Sequence, residues 1–75
     1  MTIRTRLDHR RILLAMSARG LNMQDVADRL RYHPNSVGRL LGNIKESGEA
    51  NAATARCLAK AIGCPLADIM PEGRG

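Results

Sequence analysis

The sequence predicts an all-α domain built from five helices. Three observations predict it. Apolar residues recur at spacings of three and four, and no run alternates with the period of two that a half-buried strand would show. Glycine or proline punctuates each periodic run. The chain has 75 residues with no Trp, no Phe and one Tyr, so a single small core must come from Leu, Ile, Val, Met and Ala.

The first helix is expected from Leu7 to Arg19, a stretch without Gly or Pro. Ile12, Ala15 and Met16 follow the i, i+3, i+4 rule and form its core stripe, with Leu13 beside it. Leu7, Leu14 and Ala18 form a second apolar stripe on nearly the opposite side. Gly20 ends the helix as a residue free to take the left-handed cap conformation. Asn22 is a good N-cap for the second helix, with Asp25 three residues on to close a capping box. Met23, Val26, Ala27 and Leu30 share one face of that helix, and Ala27 is small where another helix must cross closely.

A break follows at Arg31–Tyr32–His33, after which Pro34 opens a third helix expected to run to about Leu41. Proline suits the first turn, where its missing N–H costs nothing, and His33 falls at the cap position. Two short helices joined by a three-residue corner are the arrangement of a helix-turn-helix. The stretch "GNIKESGEA" is polar, has two glycines and reads as a loop. Asn51 caps a fourth helix whose stripe is Ala55, Leu58, Ala59 and Ile62, ended by Gly63. Pro65 opens a short fifth helix that buries Leu66 and Ile69. Residues 1–5 read as a flexible basic arm and residues 71–75 as a frayed tail, on one domain spanning 1–75.

Charge is unevenly distributed. Residues 1–45 hold nine Arg or Lys against three acids, and residues 46–75 hold three against four. A basic half suits a polyanionic partner, although a solvated face that keeps the protein soluble has the same composition. Cys57 and Cys64 lie among apolar residues and form no disulfide framework, and neither His9 nor His33 stands at ligand spacing from them. No metal and no cofactor is therefore expected. No apolar run is long enough for a membrane span or a secretory signal, so a cytoplasmic protein is expected. No Ser/His/Asp or Cys/His spacing, paired carboxylates or phosphate loop is present, which argues against an enzyme and leaves no catalytic residue to assign. RNA is disfavoured because the chain lacks aromatics on which unpaired bases stack.

The run "MQDVADRLRYHPNSVGRLLG", Met23 to Gly42, resembles the twenty-residue motif of the Xre/Cro family of helix-turn-helix regulators, which includes lambdoid phage repressors and Cro proteins. Its apolar places fall on Val26, Leu30, Tyr32, Val37 and Leu40, and its small crossing residue on Ala27. "TARCLAKAIGCPLADIM" is similar to the family's closing helix pair, so the resemblance covers roughly Ile12 to Met70. It implies a lambda-repressor-like DNA-binding domain with the helix-turn-helix formed by helices 2 and 3. Two residues depart from the pattern: Arg31 stands where the family has Gly in the turn, and Met23 where it has a polar residue that often holds a phosphate.

What the resemblance implies is a transcriptional regulator of double-stranded DNA, a repressor acting as a homodimer on a palindromic operator, with helix 34–41 in the major groove. Base contacts then fall to Pro34, Asn35, Gly38 and Arg39, with Asn35 suited to adenine and Arg39 to guanine. Phosphate contacts fall to Gln24, His33, Ser36, Asn43, Lys45, Arg10 and Arg11, and the cluster Arg4, Arg6, Arg10 and Arg11 either lies along the backbone, reaches a minor groove as an arm, or is disordered or merely solubilising. Leu7, Leu14 and Met70 are the candidate dimer surface. Plain alternatives stand beside these roles. Arg39 could be a solvated arginine, Asn35 a support of the first turn, and Gly38 a glycine that the surface merely tolerates. The competing function is a protein-interaction module, an antitoxin or adaptor, and convergence of the basic residues on the Pro34–Arg39 face separates the two.

Overall fold

The computed structural model describes residues 3–71 and is mostly helical, with a small sheet that the sequence reading lacks. In chain order the elements are β1 (Arg4–Arg6), α1 (His9–Ala18), α2 (Met23–Leu30), α3 (Pro34–Ser47), β2 (Glu49–Asn51) and α4 (Ala52–Ile62). A 3₁₀ turn at Leu66–Ile69 stands where a fifth helix was expected. Among the described residues no helix is long and apolar enough to cross a membrane.

Within the expected flexible arm, Arg4 and Thr5 belong instead to a strand. β1 pairs antiparallel with β2, with Arg4 opposite Asn51, Thr5 opposite Ala50 and Arg6 opposite Glu49. The chain is held at both ends of the pairing, where the Ile3 carbonyl accepts from the Ala52 N–H and the Leu7 N–H donates to the Gly48 carbonyl, each at 2.8 Å. Arg4 Nε also donates to Glu49 Oε1 at 2.9 Å, an exposed pair that adds little by itself. Three residues on each side are too few and too polar to show a strand period, and the pairing depends on Leu7 and Ala50 entering the core. Residues 1–2 of the arm and residues 72–75 of the expected tail lie outside the described residues.

α1 starts at His9 rather than Leu7 because the Asp8 carboxylate accepts from the N–H groups of Arg10 and Arg11 at 2.9 and 3.3 Å. Asn22 and Asp25 form the expected reciprocal capping box at the start of α2, at 2.9 and 3.0 Å. Arg31 ends α2 in the left-handed conformation, φ 62°, ψ 37°, the only non-glycine with positive φ among the described residues. The cost, about 1–2 kcal/mol for a residue with a Cβ, is offset by two bonds. The Tyr32 N–H donates to the Ala27 carbonyl at 2.9 Å and the Arg31 N–H to the Asp28 carbonyl at 3.2 Å, a Schellman closure of the helix end.

α3 continues past Leu41 to Ser47, through the segment expected as a loop. Ile44 extends the row Val37–Leu41–Ile44, and all three are buried. Burying Ile44 contributes about 2 kcal/mol, enough to outweigh the roughly 1 kcal/mol that Gly42 costs in a helix.

The core is one cluster in which Ile12, Val26, Ala27, Val37, Ala55, Leu58 and Ile69 are fully buried. α2 packs against both α3 and α4, and α1 against the 3₁₀ turn and α3. Arg29 ties α2 to the end of α4, donating from Nη1 to the Ala61 carbonyl at 2.8 Å. Ala15 and Leu66, read as core, are only partly buried, and three of the apolar places of the Met23–Gly42 run are also less buried than expected. Tyr32 is 45 % exposed at the corner, and Leu30 and Leu40 are half-buried against the core edge.

Candidate nucleic-acid interface

Pro34 occupies the first turn of α3, and His33 caps it with its side chain. His33 Nδ1 accepts from the Asn35 N–H at 3.1 Å, which requires the tautomer with its proton on Nε2. The ring thus presents an Nε2–H donor to any acceptor beyond the corner, and His33 is exposed. One side of α3 is committed to the core by Val37, Leu41 and Ile44. The 3.6-residue period therefore turns Asn35, Arg39, Gly42 and Glu46 outward, and all four are exposed.

Where α3 begins, it forms a shallow groove with the first residue of α2. The groove has a volume of about 620 Å³ and is lined by Met23, Pro34, Asn35, Ser36, Gly38 and Arg39. All four expected base-contacting residues line it, together with Ser36. Neither the Asn35 side chain nor the Arg39 guanidinium makes a hydrogen bond or ion pair to another part of the chain among the described residues. Asn35 does not hold the first turn through its side chain; that work falls to its backbone N–H and His33. The groove thus offers one amide and one guanidinium, both unengaged among the described residues, beside Met23, Pro34 and Gly38.

Gly38 has ordinary helical backbone, and a Cβ added there would meet Met23 Sδ at 3.7 Å, an ordinary contact. Nothing inside the molecule therefore demands glycine at this position.

The remaining expected contacts are dispersed. Lys45 shares a second groove with Arg6 and His9, where Asp8 and Glu49 also stand. Arg10 and Arg11 line a third, between α1 and the 3₁₀ turn, with Leu14, Arg19 and Asp68. Gln24 and Asn43 are exposed on α2 and α3 but line none of these grooves. Of the basic residues, Arg39 alone lines the groove at the start of α3.

No family model, no curated protein and no solved structure matches the chain.

Of the candidate dimer residues, Leu7 is corrected. It is 2 % exposed, sits in the core and is held by its N–H bond to Gly48, so it offers nothing to a second chain. The second stripe expected on α1 loses its first member because the helix begins after it. Leu14 is 62 % exposed beside Leu13 at 43 %, and Met70 is half-buried against the core. The two cysteines also part. Cys64 is buried, but Cys57 is exposed on α4, contrary to its apolar neighbours in sequence. Burial raises the Cys64 thiol above its ordinary pKa, the nearby Arg19 charge works against that rise, and Asp68 adds to it. Among the described residues no group of three or more His, Cys, Asp or Glu could hold a metal ion.

Sequence reasoning put Met23 on the apolar face of the second helix and noted the polar residue it replaces, but Met23 is 41 % exposed. Its place in the groove follows from the α2–α3 crossing, and the signal for it was a large apolar residue at the first position of a helix whose core row begins later.

Proposed function

We propose that the chain is a sequence-specific regulator of double-stranded DNA, built as a helix-turn-helix domain of the Xre/Cro kind and acting in the cytoplasm as a repressor. In this reading α2, the Arg31–His33 corner and α3 form the motif, and the start of α3 enters the major groove. The observation that carries the reading is the groove at the start of α3, where Asn35 and Arg39 stand exposed with no side-chain partner among the described residues. These two side chains have the donor and acceptor geometry that distinguishes adenine and guanine by their major-groove edges. His33, Ser36 and Gln24 flank the same end of the motif as phosphate contacts. A single helix pair reads few base pairs, so a homodimer on a palindromic operator is proposed, with Leu13 and Leu14 of α1 as its apolar surface.

The dispersal of Lys45, Arg6, Arg10, Arg11 and Arg19 over two other grooves favours a second reading, a protein-interaction module of the antitoxin or adaptor type. Selection from a pool of random duplexes separates the two. Enrichment of one sequence supports the regulator; a pool that stays random after repeated rounds removes it and leaves the interaction module.

A further inference from the structure

Major-groove edges carry one apolar group, the 5-methyl of thymine, among donors and acceptors. The groove at the start of α3 has a matching pattern. Its lining combines three polar side chains, Asn35, Ser36 and Arg39, with the Met23 thioether, the Pro34 ring and the bare backbone of Gly38. Met23 is 41 % exposed, and of the large exposed hydrophobic residues (Ile3, Leu13, Leu14, Met23 and Tyr32) it alone lines this groove. A side chain at Gly38 would be accommodated within the molecule, since its Cβ would rest against Met23 Sδ at 3.7 Å. It would also take up space in the groove that Arg39 lines. Glycine at this position leaves that space for an apolar group arriving from outside, next to whatever Arg39 binds.

We propose that Met23, with Pro34 and Gly38, forms a receptor for a thymine 5-methyl group next to the base that Arg39 reads, and so determines specificity from outside α3. The proposal rests on the DNA reading above. It assigns to Met23 a base contact in place of the phosphate contact that a polar residue would make there. Met suits the role because its unbranched thioether adapts to an irregular apolar surface.

The test starts from the duplex enriched by selection. Each thymine is replaced in turn by deoxyuracil, which keeps the pairing edge and removes only the methyl. Binding is measured for the wild type, Met23→Ala and Met23→Leu, with circular dichroism confirming that each variant is folded. At one thymine per half-site the wild type should lose about fourfold in affinity, the worth of one buried methylene. Met23→Ala should bind the thymine duplex about as weakly as the wild type binds the uracil one and lose nothing more on substitution, whereas Met23→Leu should keep most of the sensitivity. Equal binding of thymine and uracil duplexes at every position by the wild type overturns the inference and leaves the DNA reading standing. Sensitivity that persists undiminished in Met23→Ala overturns it as well, placing the methyl elsewhere. Failure to enrich any duplex overturns both.

Discussion

Replacing Gly38 by alanine tests the geometry of the groove without touching a polar group. Glycine inside a helix is about 0.8–1.0 kcal/mol less favourable than alanine, because it loses more backbone freedom on folding. The new Cβ would sit 3.7 Å from Met23 Sδ, at ordinary contact distance, so no steric term subtracts from the gain. Gly38→Ala should therefore stabilise the domain by about 1 kcal/mol, which for a domain of this size raises Tm by roughly 4–8 °C. Gly42→Ala is the comparator. Its Cβ would meet nothing within 4 Å, and the same gain is expected. Thermal unfolding followed by circular dichroism measures both. A Gly38 variant that is destabilised while the Gly42 variant is stabilised would refute the argument, because it would mean that α2 and α3 approach more closely at Met23 than the structure shows. DNA binding gives a second readout. If the groove at Gly38 receives a thymine methyl, Gly38→Ala should bind more weakly although it is more stable.

Arg31→Gly should raise stability by about 1 kcal/mol in urea unfolding, since it removes the Cβ from a residue at φ 62° and leaves both closing hydrogen bonds in place. Leu7→Ala should cost about 2–4 kcal/mol, as expected for a core leucine, whereas a surface role in dimerisation would leave monomer stability unchanged. A thiol reagent should modify Cys57 within the mixing time and Cys64 only as the domain opens. Burial keeps the Cys64 thiol protonated in the folded chain to a pH at which the unfolded chain has released that proton. This group therefore contributes nothing to the pH dependence of stability at neutral pH. It should make stability fall as pH rises past about 9, more steeply in the wild type than in Cys64→Ala, in urea midpoints compared near pH 8 and pH 10.

The elements legible in the sequence were those whose signal is local. Asn22 with Asp25, Pro34 after a cap, and the α4 row Ala55, Leu58, Ala59 and Ile62 are each specified within one or two turns, and the structure has them where the residues indicated. The paired strands were not legible, because Arg4–Arg6 and Glu49–Asn51 come together across some forty residues and carry no period of their own. The end of α3 was missed for a related reason. Gly42 and the polar residues after it argue locally for a loop, and only the burial of Ile44 against other elements overrides them. Leu7 illustrates the same limit: its apolar side chain was read by helical spacing, but it precedes α1 and enters the core through the sheet. At the candidate site, Asn35 and Arg39 were named through the family resemblance, and helix crossing alone brought Met23 beside them.

The measurement that bears most directly on the DNA reading is a fluorescence-anisotropy titration of the wild type and Arg39→Ala. Each is titrated against the selected duplex and a scrambled one, at low and at moderate salt. The wild type should prefer the selected duplex at both salt concentrations. Arg39→Ala should lose about 1–3 kcal/mol of that preference, roughly a factor of 5 to 150, while its binding to scrambled DNA keeps a similar salt dependence. Equal binding of the wild type to both duplexes, abolished by salt, would contradict the account and leave only a basic surface.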